Sequence, residues 1–299
     1  IQSVIDNIET VIVGKMSSVE LVVLALLARD HVLIEDVPGV GKTSLVSAVA
    51  KSVACDFKRI QFTPDLMPSD VTGFSVYNQG KNEFEFRAGA VMSNLVLADE
   101  INRASAKTQA ALLEAMEERQ VTVDSNTYRL EEPFMVLATQ NPIESFGTYP
   151  LPDAQIDRFL IKLSMGYPAI EEEQKIIHQG KASKKALHAV ISKEDVVSLS
   201  KLADMVYIDS SVERYIVEIV AATRTNANVV LGASPRGSIA LAGAGKVLAL
   251  MRGRGHVLPD DIKYLAKAIL AHRVSLTNEA KLKHITSAQV IDEILDGII

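Results

Sequence analysis

Apolar residues fall into short, nearly unbroken runs in the first half of the chain and into helical stripes in the second. The runs are His31-Val32-Leu33-Ile34-Glu35, Phe57-Lys58-Arg59-Ile60-Gln61-Phe62, Leu95-Val96-Leu97-Ala98, Phe134-Met135-Val136-Leu137-Ala138 and Arg158-Phe159-Leu160-Ile161-Lys162-Leu163. Short runs without polar alternation read as strands buried on both faces. With helical stretches between them, they predict α/β architecture: a covered, parallel five-stranded sheet. A strongly apolar helix over 19–28 precedes the first strand. Two excursions interrupt the pattern. Residues 63–86 carry prolines and turn formers, and residues 120–130 alternate around Asp124-Ser125-Asn126, a hairpin with strands at 121–123 and 127–129.

Beyond Pro168 the pattern changes. A polar helix opens at Glu171, a basic linker covers 180–185, and helices are expected at 194–205, 211–227, 237–251, 260–271 and 287–295. Val212, Tyr215, Ile216 and Ile219 share one helical face, as do Ile262, Leu265, Ala266 and Ile269. The predicted organisation is therefore an α/β domain over 1–168, a linker over 169–184 and a smaller all-helical domain over 185–299.

Composition narrows the class. With 48% hydrophobic and 23% charged residues over 299 positions, the chain is an ordinary globular protein. Its net charge of −6 argues against a protein whose main task is gripping nucleic acid. The single cysteine, Cys55, excludes an internal disulfide and reads as a small buried residue. The six histidines have no metal-ligand spacing, and His31 at a strand start reads as packed or solvated. No run reaches a membrane span and no signal peptide is visible, so a cytoplasmic location is expected.

The candidate chemistry starts between the first strand and the next helix, at Asp36-Val37-Pro38-Gly39-Val40-Gly41-Lys42-Thr43-Ser44. A strand, a Gly-rich turn ending in Gly-Lys-Thr and a helix form the P-loop arrangement. Backbone amides and the helix N-terminus bind phosphate, Lys42 reaches the β- and γ-phosphates of a nucleotide, and the Thr43 hydroxyl ligates Mg²⁺. Asp36 stands where the general pattern has glycine. A second signal is Leu95-Val96-Leu97-Ala98-Asp99-Glu100, a buried strand ending in two carboxylates. Asp99 suits Mg²⁺ and Glu100 suits polarising an attacking water. Asn141, in Ala138-Thr139-Gln140-Asn141-Pro142, ends another strand. It reads either as a group that positions water or γ-phosphate, or as a turn residue before proline. Arg158 begins the last strand, at the sheet edge opposite the carboxyl ends, from where it could reach a neighbouring subunit's nucleotide. Arg236, in Ser234-Pro235-Arg236-Gly237, starts a helix and could close over the γ-phosphate.

Together these motifs, with Ile101-Asn102-Arg103-Ala104, Ala111-Leu112-Leu113-Glu114-Ala115-Met116-Glu117-Glu118 and Asp157-Arg158-Phe159, resemble the MoxR family of AAA+ ATPases over nearly the whole chain. The resemblance implies ATP and Mg²⁺ as ligands, Asn141 in the sensor-1 role, Arg158 as arginine finger and Arg236 as sensor 2. It implies that the C-terminal domain is a lid, that 63–86 and 120–130 are the family's inserts, and that Val13 with its neighbours Val11 and Ile12 lines the adenine pocket, although those three also read as plain core. Arg103 is a further candidate to face a neighbour's nucleotide. Family members form rings, usually hexamers, and remodel or mature partner proteins, often ones with von Willebrand factor A domains.

Two other functions fit parts of the pattern. A nucleic-acid-linked motor or loader would share the chemistry, but the chain has no basic–aromatic stripe. A GTP switch is suggested only by Asp70-Val71-Thr72-Gly73, which follows a Pro-containing segment rather than a buried strand.

Overall fold

The structure, a computed structural model, describes residues 1–37, 39–141, 148–179 and 187–298. In chain order the elements are α1 (Gln2–Glu9), α2 (Met16–Leu27), β1 (Val32–Glu35), α3 (Lys42–Ser52), β2 (Phe57–Gln61), α4 (Pro68–Thr72), β3 (Gly73–Asn78), β4 (Glu83–Ala88), β5 (Leu95–Asp99), α5 (Ala106–Glu118), β6 (Gln120–Val123), β7 (Asn126–Arg129) and β8 (Met135–Gln140). They continue with α6 (Asp153–Ile156), β9 (Ile161–Leu163), α7 (Ile170–Gln179), α8 (Lys193–Asp204), α9 (Ser210–Thr225), β10 (Val229–Leu231), α10 (Pro235–Met251), α11 (Pro259–Leu270), β11 (Ser275–Leu276), α12 (Asn278–Leu282) and α13 (Ser287–Gly297). Two compact units emerge: Ile1–Leu151 with Leu163–Val197, and Pro152–Lys162 with Ser198–Ile299.

The main sheet has five strands in the order β2-β5-β8-β1-β9. The β2–β5, β5–β8 and β1–β8 pairs are all parallel. Burial explains that order. In β5 and β8 every residue but the last is buried, as central strands covered on both faces require, whereas β2 alternates polar Lys58 and Arg59 with buried Ile60 and takes an edge. His31 is packed at the start of β1. Its Nδ1 accepts the Val136 N–H at 3.0 Å, which leaves Nε2 to donate to the Met116 carbonyl at 3.2 Å. Burial pushes its pKa down to about 3, so the ring stays neutral.

Both excursions form hairpins. β3 pairs with β4, and β6 with β7 through Asp124 and Ser125, both at positive φ as a tight hairpin turn demands. The Phe86 and Tyr128 rings stack at 3.9 Å and join the two hairpins. Asp70 caps α4, accepting the Met67 N–H at 2.8 Å, which accounts for the short Asp-x-x-Gly match without a nucleotide.

Apart from Ile161 and Lys162 of β9 and the short antiparallel pair β10–β11, the regular elements of the second unit are helical among the described residues. Asp209, Ser234 and Thr286 cap α9, α10 and α13 with their side chains. One sequence expectation is corrected. Arg158 does not begin a strand: pairing starts only at Ile161, and Arg158 lies in the turn after α6. The reason is a competing partner. The carbonyls of Asp157, Phe159 and Leu160 accept hydrogen bonds from the Arg273 side chain instead of from a neighbouring strand.

Candidate active site

The site is assembled at the carboxyl ends of β1, β5 and β8. Register places Ile34 opposite Thr139 and Glu35 opposite Gln140, while Ala98 lies opposite Ala138. Asp36 extends the pairing, its N–H donating to the Gln140 carbonyl at 3.1 Å. The chain therefore leaves β1 toward the Gly-Lys-Thr turn at the level where β5 ends in Asp99 and Glu100. Because β1 and β5 both flank β8, the two segments stand roughly 10 Å apart, two strand spacings.

The turn leaves room above its glycines. Gly39 and Gly41 have φ of +91° and +93°, and a Cβ at either would meet nothing within 4 Å, so the concavity above them is open. Gly41 is the N-cap of α3 and makes no side-chain cap bond, leaving the first-turn amides to an incoming ligand. Thr43 and Ser44 are exposed there, and Val37, Val40 and Lys42 are half-buried. The Lys42 ammonium donates to the Asp36 and Val37 carbonyls at 3.1 and 3.4 Å. Pro38 lies outside the described residues. Asp36 has work that glycine could not do. Its buried carboxylate accepts the N–H groups of Met165 and Gly166 at 2.6 and 2.9 Å and ties the start of the turn to the chain beyond β9.

Opposite, Thr139 organises the two acids. Its hydroxyl, fully buried, donates to Asp99 Oδ1 at 2.6 Å and accepts the Glu100 N–H at 2.9 Å. Glu100 sits in the left-handed region with φ 56° and ψ 50°, a strained backbone for a non-glycine residue. Its Oε2 is met by Gln61 Nε2 at 2.8 Å and by Arg103 Nε at 3.1 Å. Arg59 Nε donates to Asp99 Oδ2 at 3.1 Å. Asn141 follows β8 and is buried.

Comparison with known proteins agrees with this geometry. The family model described as "ATPase family associated with various cellular activities (AAA)" matches residues 31–161, and one described as "AAA lid domain" matches 221–294. Chaperone MoxR1 of Mycobacterium tuberculosis is 42% identical over 100% of this chain and 81% of its own length. The chain belongs to the MoxR family of AAA+ ATPases. Another relative, the uncharacterized protein YeaC of Bacillus subtilis, is 54% identical over 98% of the chain and 92% of its own. A crystal structure of a candidate ATPase from Cytophaga hutchinsonii superposes with TM-score 0.92 at 43% identity, covering 99% of this chain and 93% of that one. This MoxR-family chain is thus a nucleotide-binding ATPase with an AAA+ domain and a lid.

Arg158 is half-buried in its turn and Arg236 is exposed in the first turn of α10, both in the second unit. Val11 and Val13 are half-buried and Ile12 is buried, ahead of α2. Arg103 pairs with Glu100 of its own chain. Cys55 is half-buried, and burial raises its thiol pKa to about 12, which keeps it protonated. Thr139, Gln61 and Arg59 were not anticipated. Gln61 pairs in register with Asp99, so only the strand order, with β2 beside β5, could have pointed to the end of β2. No helix among the described residues is long and apolar enough to cross a membrane.

Proposed function

We propose that the chain couples ATP hydrolysis to the remodelling of partner proteins, acting as the subunit of a ring, hexameric by resemblance to its family. The observation that carries the hydrolytic part is the shared sheet edge, where an open Gly-rich turn at a helix N-terminus faces two carboxylates organised by one buried threonine. In this reading the amides of residues 39–44 cradle the β-phosphate, and the Lys42 ammonium exchanges its carbonyl partners for β- and γ-phosphate oxygens. Glu100 aligns and polarises the attacking water, with Thr139 and the αL backbone aiming its carboxylate. Asn141 contacts the γ-phosphate or that water. Val13 and its neighbours cover the adenine. Arg236 acts on the chain's own nucleotide and Arg158 on a neighbour's.

The residues fit a Mg²⁺ ion in the manner of P-loop sites. The Thr43 hydroxyl is exposed beside the open turn, and Asp99 ends β5, which is separated from β1 by β8. Among the described residues no cluster of three or more His, Cys, Asp or Glu side chains forms a metal cage of its own, and a phosphate-bound Mg²⁺ needs none. When bound, the ion would offset charge on the β- and γ-phosphates.

The remodelling part rests on the family and on the name of the mycobacterial relative, a chaperone. The expected clients are proteins with von Willebrand factor A domains, and the expected location is cytoplasmic. ATP turnover of Lys42→Ala tests the site, since full turnover would remove it from this turn. A pull-down with ATP-loaded Glu100→Gln tests the client, which a stalled subunit should retain and which Lys42→Ala should not. Equal recovery with both variants contradicts nucleotide-gated remodelling.

A further inference from the structure

Within the second unit, one buried arginine holds the backbone on both sides of Arg158. The Arg273 side chain is 3% exposed. Its Nε donates to Asp157 Oδ1 at 2.7 Å, and its Nη2 donates to the Asp157 and Phe159 carbonyls at 3.0 and 2.8 Å. Its Nη1 donates to the Leu160 carbonyl at 3.0 Å and to the Ile269 carbonyl. A guanidinium has five N–H donors, and here each has an acceptor. Four of those acceptors belong to Asp157, Phe159 and Leu160, the residues that bracket Arg158.

Asp157 carries the connection further. Its Oδ2 accepts from the Ser234 hydroxyl at 3.3 Å, and Ser234 Oγ accepts the Arg236 N–H at 3.2 Å as the N-cap of α10. One carboxylate therefore ties the turn that displays Arg158 to the helix start that displays Arg236. His272 completes the packing, with Nε2 2.9 Å from Arg273 Nη1. Burial and the adjacent guanidinium push its pKa down to about 3, so no second charge is added.

Burying an arginine with a single carboxylate partner is costly, and a loop of this length could end its carbonyls in water instead. We propose that Arg273 and Asp157 are positioning residues that lock Arg158 and Arg236 into one rigid body, so that movement of the lid carries the finger offered to a neighbour together with the arginine that reads the chain's own nucleotide. The proposal rests on the roles given to those two arginines above. It adds the physical link between them, which passes through a residue more than a hundred positions away from Arg158 in sequence.

The test is ATPase kinetics on the full chain, with Arg273→Lys, Asp157→Asn, Arg158→Ala and the double variant Arg273→Lys/Arg158→Ala. Lysine keeps the charge but has three donors, so at least two of the five bonds, and at least one of the four that bracket Arg158, are lost. The expected result is a drop of about tenfold to a hundredfold in kcat, the size of effect a small misplacement of a reacting group produces, with KM changed by less than about threefold. The double variant should be no slower than Arg158→Ala alone, because a displaced finger and a missing finger are one lesion. A multiplicative further loss in the double variant, or unchanged kcat in Arg273→Lys, overturns the proposal. If Arg273→Lys does not fold, Asp157→Asn paired with Arg158→Ala decides by the same two criteria, since asparagine keeps the shape but removes the charge and one of the two acceptor oxygens. Lys42→Ala separates the two readings. If it is dead while Arg273→Lys is normal, the brace fails and the nucleotide site stands; if it keeps full turnover, the site itself fails.

Discussion

Replacing Thr139 by valine removes one oxygen from a fully buried position and leaves the shape almost unchanged. That oxygen makes two bonds, a 2.6 Å donation to the Asp99 carboxylate and a 2.9 Å acceptance from the Glu100 N–H. A hydrogen bond to a charged group is worth about 1.5–3 kcal/mol, and a donor left without a partner costs about 1–3 kcal/mol. Relaxation of the Asp99 carboxylate, which keeps Arg59, recovers part of the first term. A net loss of about 2–4 kcal/mol of stability is expected, read as a lower urea midpoint with an unchanged slope. Glu100 should suffer more than the fold does. Its αL conformation costs about 1–3 kcal/mol and relies on that N–H bond among its restraints. Once released, the carboxylate loses its aim, and kcat should fall about tenfold to a hundredfold with KM little changed. Thr139→Ser, which keeps the hydroxyl, should restore most of the rate. If valine leaves both the urea midpoint and kcat at wild-type values, or if serine is as damaging as valine, the hydroxyl does not organise the acids.

Three further outcomes are expected. Gly41→Ala has space for its methyl but must hold φ near +93°, at about 1–2 kcal/mol for a left-handed L-residue; the protein should fold with a slightly lower Tm and lose ATP binding, and unimpaired binding in a fluorescent-nucleotide titration would show that the turn does not cradle phosphate. His31 and His272 are held neutral with pKa values near 3 against 6.5 for the unfolded chain, so the unfolded state takes up protons below pH 6.5 that the native state refuses; stability is full above that pH and should fall by about 1.4 kcal/mol per pH unit for each histidine on acidification, and a His31→Gln variant whose urea midpoint keeps the whole acid slope would contradict this. Arg158→Ala should bind ATP and hydrolyse it poorly, and mixing it with Glu100→Gln subunits should restore some turnover; no recovery in stably mixed rings would argue against action in trans.

What the sequence made legible was local. β5 is apolar up to Ala98 and β8 up to Ala138, and both then turn polar, so Asp99, Glu100 and Asn141 stood out at or just past strand ends. The Gly-Lys-Thr turn announces itself because its glycines must take positive φ. Residues whose meaning depends on strand order were silent. Gln61 and Arg59 look like the polar alternation of an edge strand, and they matter because β2 lies in register with β5. Thr139 looks like a β-branched residue in a strand until the neighbour that leaves the sheet beside it is known. The apolar run at 158–163 misled for the same reason. Phe159 and Leu160 are buried as strand residues would be, but the carbonyls of Asp157, Phe159 and Leu160 are taken by Arg273, a partner no local pattern reveals.

The most direct single measurement uses one sample of the Glu100→Gln chain, in which ATP bound and phosphate released are followed together. ATP should bind about as tightly as to the wild type, because the amides around Gly41 and the Lys42 ammonium are intact, while phosphate release falls by a factor of about a hundred or more. Wild-type phosphate release from that sample would mean that the carboxylate at the end of β5 does not face the nucleotide.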